Sequence, residues 1–110
     1  MSVEVTIQYA EGCSHLDATY ELVAEILESS GSHGVLKTLL VSSVEDAENL
    51  RFLGSPTVLV DGEDPCFDPN APVGLACRLY ASADTASGVP PREKLQQALM
   101  ESQQRQSQSL

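Results

Sequence analysis

The side chains best suited to chemistry in this chain are Cys13, Cys66, Cys77, His15 and His33. Cys13 stands out. It lies in Gly12-Cys13-Ser14-His15-Leu16, where a strand-like run gives way to a helix-like one. The thiolate is the nucleophilic form of cysteine, and the free N–H groups and dipole of a helix start favour it. His15 adds a positive charge when protonated. Glu11 and Asp17 act the other way, because negative neighbours oppose a thiolate. Cys13 is the candidate nucleophile and His15 a candidate helper. The alternatives are a small semi-buried hydrophobe at Cys13 and an exposed first-turn residue at His15. His33 falls in a turn-rich loop and receives no role. The Cys and His spacings match no zinc pattern, so no metal site is assigned. No Gly-rich phosphate loop, GxSxG elbow or HExxH is present.

The overall charge narrows the partners. Six basic residues face 16 acidic ones, a formal charge of −10. Phosphate backbones and anionic lipids are repelled by such a surface, so neither nucleic acid nor membrane is an expected partner. The N-terminal MSVEVTIQYA lacks a basic region and an apolar core, so it does not read as a signal peptide. A cytoplasmic location is expected, and there the cysteines stay free rather than forming structural disulfides.

The elements that must position these residues follow from periodicity. Val3, Val5, Ile7 and Tyr9 alternate with Glu4, Thr6 and Gln8, the period-two pattern of a strand. From Ser14 to Ser29 the spacing of Leu16, Tyr20, Val23 and Leu27, widened by Leu22 and Ile26, predicts an amphipathic helix. Val35 to Val41 reads as a buried strand. Ser42 and Glu45 have capping-box spacing for a short second helix ending near Leu53. Thr57 to Val60 reads as a strand and Asp61-Gly62 as a turn. Residues 61–75, rich in Pro and Gly, read as a long loop of the kind that often carries function. Cys77 to Ala81 reads as a fourth strand. Pro90 and Pro91 open a last helix. The 110 residues fit one domain, here residues 1–101, with 102–110 as a polar disordered tail.

The order β-α-β-α-β-β-α, with Gly12-Cys13-Ser14-His15-Leu16 after the first strand and Gly54-Ser55-Pro56-Thr57-Val58 before the third, resembles the thioredoxin-like family. APVGLACRLY and SGVPPREKLQQAL also look like a group of small bacterial thioredoxin-like proteins of undefined role. The resemblance implies an α/β fold with a four-stranded mixed sheet and helices on both faces. It implies a cis Ser55–Pro56 bond beside Cys13, with Ser55, Pro56 and Thr57 forming a substrate-side wall. Strand-edge backbone there would pair with an extended peptide or a glutathione-like thiol.

The departure from that family is Leu16, which stands where the second cysteine of CxxC would be. Dithiol exchange within the motif is therefore ruled out. A single thiol still forms a mixed disulfide with glutathione or a protein, or a sulfenic acid. Cys66, on the long loop, is the candidate resolving thiol. Cys77 is expected at the far end of the fourth strand, out of reach of Cys13. The leading reading is single-cysteine thiol–disulfide or glutathione-linked chemistry through Cys13, with no cofactor. One alternative is a non-catalytic module that binds a protein partner. Another is thiolate binding of a soft metal or organomercurial.

Overall fold

The computed structural model describes residues 3–29, 34–81 and 86–108; His33 lies outside them. It is a mixed α/β protein with a three-stranded sheet and three helices. Strand β1 (Glu4–Tyr9) is central, flanked by β2 (Val35–Leu40) and β3 (Thr57–Val60). β1 runs parallel to β2, with Glu4 opposite Val35. It runs antiparallel to β3, with Val5 opposite Val60.

Alternation in β1 works as the sequence predicts on one face. Val5 and Ile7 are fully buried. They pack with Val58 and Val60 against Val23, Ile26 and Leu27 of helix α1 (Leu16–Ser29) and Leu95 and Leu99 of helix α3 (Arg92–Gln108). The buried stripe of α1 runs through Thr19, Val23, Ile26 and Leu27. Tyr20, expected on it, is 44% exposed. Thr19 lies three residues after Leu16 and four before Val23, so at 3.6 residues per turn it takes the inward position. Leu16 itself packs against this core.

β2 departs from its reading as a buried strand. It is an edge strand, and every residue but Leu36 is exposed. Its apolar composition is not matched by burial: of its leucines only Leu36 packs against the core. Val35, Lys37 and Leu39 alternate onto the sheet's second face, opposite Glu4, Thr6 and Gln8 of β1. Lys37 forms an exposed ion pair with Glu4 there.

Helix α2 (Val44–Leu50) is capped by Ser43, whose Oγ accepts the Asp46 N–H at 3.1 Å. The cap is thus one residue later than expected, and Ser42 instead contacts the Asp46 carboxylate. The helix ends earlier too, at Arg51, which has a left-handed φ of 53°. There Phe52 N–H bonds Ala47 O and Arg51 N–H bonds Glu48 O, the paired bonds of a Schellman ending. This turn sends Phe52 into a second small core with Ala10, Val41 and Ala47.

No fourth strand joins the sheet among the described residues. Tyr80–Ala81 (β4) pairs with Ala86–Ser87 (β5) as a separate two-stranded ribbon. The preceding residues cross close over Gly54, where an added Cβ would lie 2.9 Å from the Ala76 carbonyl. The polar stretch expected to be a tail continues α3 as far as Gln108. Ser102 is fully buried there and hydrogen-bonds the Asp61 carboxylate. Asp61 also accepts the Glu4 N–H at 3.0 Å. It and Gly62 both have positive φ, as a tight hairpin turn requires. No described helix is long and apolar enough to cross a membrane.

Candidate functional site

Cys13 sits in a turn just beyond the carboxyl end of β1. Its N–H bonds the Ala10 carbonyl at 3.2 Å. Gly12, third residue of that turn, has a φ of 78°, which glycine adopts without steric cost. The Thr19 N–H bonds the His15 carbonyl, so α1 begins after His15. Cys13 therefore precedes the helix rather than occupying its first turn. The free amides at the helix start belong to Leu16 and the residues after it. Cys13 and His15 are both half-buried. The His15 ring lies against Gly88, where an added Cβ would be 2.3 Å from its Cδ2 atom. Among the described residues no hydrogen bond joins it to Cys13. Leu16, three residues after Cys13, is a core contact, which gives that position a packing role.

The Ser55–Pro56 bond is cis, and the segment adjoins the Cys13 turn: the Ala10 N–H donates to Ser55 Oγ at 2.9 Å. Ser55, Pro56 and Thr57 do not form an open substrate-side wall. All three are buried. The edge expected to receive a peptide is filled by the chain itself. Ser55 N–H bonds Ala76 O, and Ser55 O accepts the Arg78 N–H, both at 3.0 Å. These bonds make a parallel bridge between Ser55 and Cys77. Cys77 is thus placed across Ser55 from the β1 end that carries Cys13, not at the remote end of the sheet.

A second cluster forms on the other side of this segment. Arg78 is only 8% exposed. Its guanidinium donates to Asp64 at 2.7 Å, to Thr57 Oγ1 at 3.0 Å and to the Cys66 carbonyl. It also lies 4.5 Å from the centre of the Tyr80 ring. The Thr57 hydroxyl donates to Gly54 O at 2.7 Å, and Tyr80 donates to the Pro56 carbonyl. Asp64 is nearly as buried as its partner. Burial raises the Tyr80 hydroxyl well above its ordinary value, against the Arg78 charge. Burial also pushes the Cys66 thiol up; Asp64 adds to this, while Arg78 and Lys94 oppose it.

The loop ahead of Arg78 holds two successive Asp-Pro turns. Asp64 Oδ1 accepts the Cys66 N–H, and Asp68 Oδ1 the Asn70 N–H, each at 2.9 Å. Asx side chains bonding the backbone two residues on are a standard turn device. The loop and the Cys77–Tyr80 segment border a cleft of about 670 Å³. Leu53, Cys66, Cys77, Arg78, Tyr80 and Lys94 are among its walls, and Cys13 is not.

Sequence reasoning missed Arg78, Asp64, Tyr80 and the cleft role of Cys77. The available signals were an arginine inside an apolar run of a chain with few cations and the repeated Asp-Pro pairs. All three cysteines are unbridged. Among the described residues no group of three or more His, Cys, Asp or Glu is arranged to hold a metal ion. No protein-family model matches the chain, and neither a curated protein nor a solved structure is significantly similar to it.

Proposed function

We propose that the protein is a single-thiol exchange protein of reduced thioredoxin-like design, with Cys13 as its nucleophile and a cytoplasmic site of action. The observation that carries this reading is the position of Cys13. It is half-exposed, directly after a strand whose parallel neighbour ends at the same side, and it is tied through Ala10 to the cis Ser55–Pro56 segment. In open α/β sheets, ligands collect outside the carboxyl ends of parallel strands. The strand order β2-β1-β3, with one parallel and one antiparallel pair, supports the thioredoxin-like part of the reading. The Cys13 thiolate attacks a low-molecular-weight disulfide such as glutathione disulfide. One thiolate leaves, and Cys13 carries the mixed disulfide. His15 is a neighbour of this step, its ring lying against Gly88.

The test is intact-mass analysis of Cys66→Ala/Cys77→Ala protein after exposure to glutathione disulfide. One adduct should form, and thiols should remove it. Absence of the adduct from folded protein would end the reading.

A second reading, a protein-binding module, is favoured by a different observation. The sheet's second face exposes Val35 and Leu39, and the peptide-pairing edge at Ser55 is already occupied.

A further inference from the structure

No second cysteine lies beside Cys13, yet the two other cysteines line one cleft. We propose that Cys66 and Cys77 are a second, independent thiol pair, which a carboxylate-bearing low-molecular-weight disulfide oxidises reversibly in the cleft they share. Three observations carry this. Both residues line the same cavity of about 670 Å³, room for a small peptide disulfide. The Arg78 guanidinium, on the residue after Cys77, holds the Cys66 carbonyl, so the two segments are already fastened together. Lys94 lines the same cavity, and among the described residues it makes no ion pair. In a chain of net charge −10 it gives a carboxylate a place to bind.

Exposure assigns the order of attack. Cys77 is exposed and Cys66 half-buried. Cys77 thiolate attacks one sulfur of RS–SR, the S–S bond breaks, and RS⁻ leaves. Cys66 then gives its proton to solvent and attacks the Cys77 sulfur, expelling the second RS⁻. The protein loses two electrons and two protons, and RSSR becomes two RSH. Burial, which holds the Cys66 thiol protonated, makes it the slower, resolving partner. Closing the bond requires Cα atoms within about 4.4–6.8 Å, a reach that the loop from Cys66 to Ala76 must allow.

The test uses Cys13→Ser protein, so that chemistry at Cys13 neither helps nor hinders. It is oxidised with glutathione disulfide, alkylated, and digested without reduction. Trypsin leaves both cysteines on one peptide, Phe52–Arg78, so the link appears as loss of two hydrogens and of both alkylation sites. Chymotryptic cleavage after Phe67 then gives two peptides that separate only on reduction. In Cys66→Ala protein Cys77 should accumulate a stable glutathione adduct, and Lys94→Glu should slow its formation at least several-fold. The proposal is overturned by unlinked, fully alkylated Cys66 and Cys77, or by a link in the wild-type chain that joins Cys13 instead. Failure here leaves the Cys13 adduct untouched, and loss of that adduct leaves the cleft pair untouched.

Discussion

The turn that carries Cys13 and the cluster around Arg78 both lean on the Gly54–Thr57 segment, but they are built in opposite ways. The turn is held by one backbone bond and by one donor to Ser55, and Cys13 is only half-buried. The cluster is buried, and its guanidinium meets a carboxylate, a hydroxyl, a carbonyl and an aromatic face. The first arrangement leaves a half-buried thiol held by few contacts. The second stakes the fold on every partner being present, because an unpaired buried charge is far more unfavourable than an unpaired exposed one. The two regions thus differ in burial and in how many partners hold them, and substitutions can be aimed at either.

The largest effect should come from Arg78→Met. It strands the Asp64 carboxylate, 9% exposed, and should cost about 3–5 kcal/mol in urea unfolding. Asp64→Asn in the same chain should recover part of that. A loss below about 1 kcal/mol would mean that the cluster is no staple. Gly54→Ala comes next. Its φ of 128° alone costs an L-residue about 1–3 kcal/mol, and the new methyl meets the Ala76 carbonyl. This substitution should also loosen the crossing segment at residues 76–78 and speed alkylation of Cys77.

The third prediction concerns pH. Cys66 and Tyr80 both titrate higher in the folded chain than at their ordinary values of 9.0 and 10.0. Their neutral forms are therefore favoured by folding. That contribution is fully present below pH 9 and is lost as pH rises, because the unfolded chain ionises first. Stability should fall from about pH 9 upward, and Cys66→Ala/Tyr80→Phe should flatten the fall. Acidification should leave these two contributions unchanged.

Smaller still is Cys13→Ser, expected to shift stability by less than about 1 kcal/mol while abolishing the Cys13 adduct. Thr19→Val should stabilise the fold. The Thr19 hydroxyl is buried without a hydrogen-bond partner among the described residues, and an unsatisfied buried hydroxyl is worth about 1–3 kcal/mol. Its removal should raise the melting temperature and leave thiol reactivity as it was.

Strand β1 and helix α1 were legible in the sequence because their periods are long and regular. The edge position of β2 was not, since VLKTLL has the same composition whether a strand is covered or bare. The α2 cap moved by one residue because Ser42 and Ser43 are both able caps and only geometry chooses between them. The Arg78 cluster was least legible. Its partners are 14 and 21 residues away in sequence, beyond any local pattern. The run Cys77 to Ala81 has strand-forming residues, but its backbone is diverted by the close crossing at Gly54. The Cys13 turn could be read because Gly12 and the change of period mark it locally. Occupation of the Ser55 edge by residues 76–78 could not, because it depends on how the long loop returns.

The most direct measurement is the rate at which Cys13 reacts with glutathione disulfide in Cys66→Ala/Cys77→Ala protein, folded and then unfolded in urea at the same pH. The expected result is a faster reaction in the folded state, reversed by thiols, showing that the turn beyond β1 activates the sulfur. A folded-state rate equal to or slower than the unfolded one would contradict Cys13 as the working nucleophile.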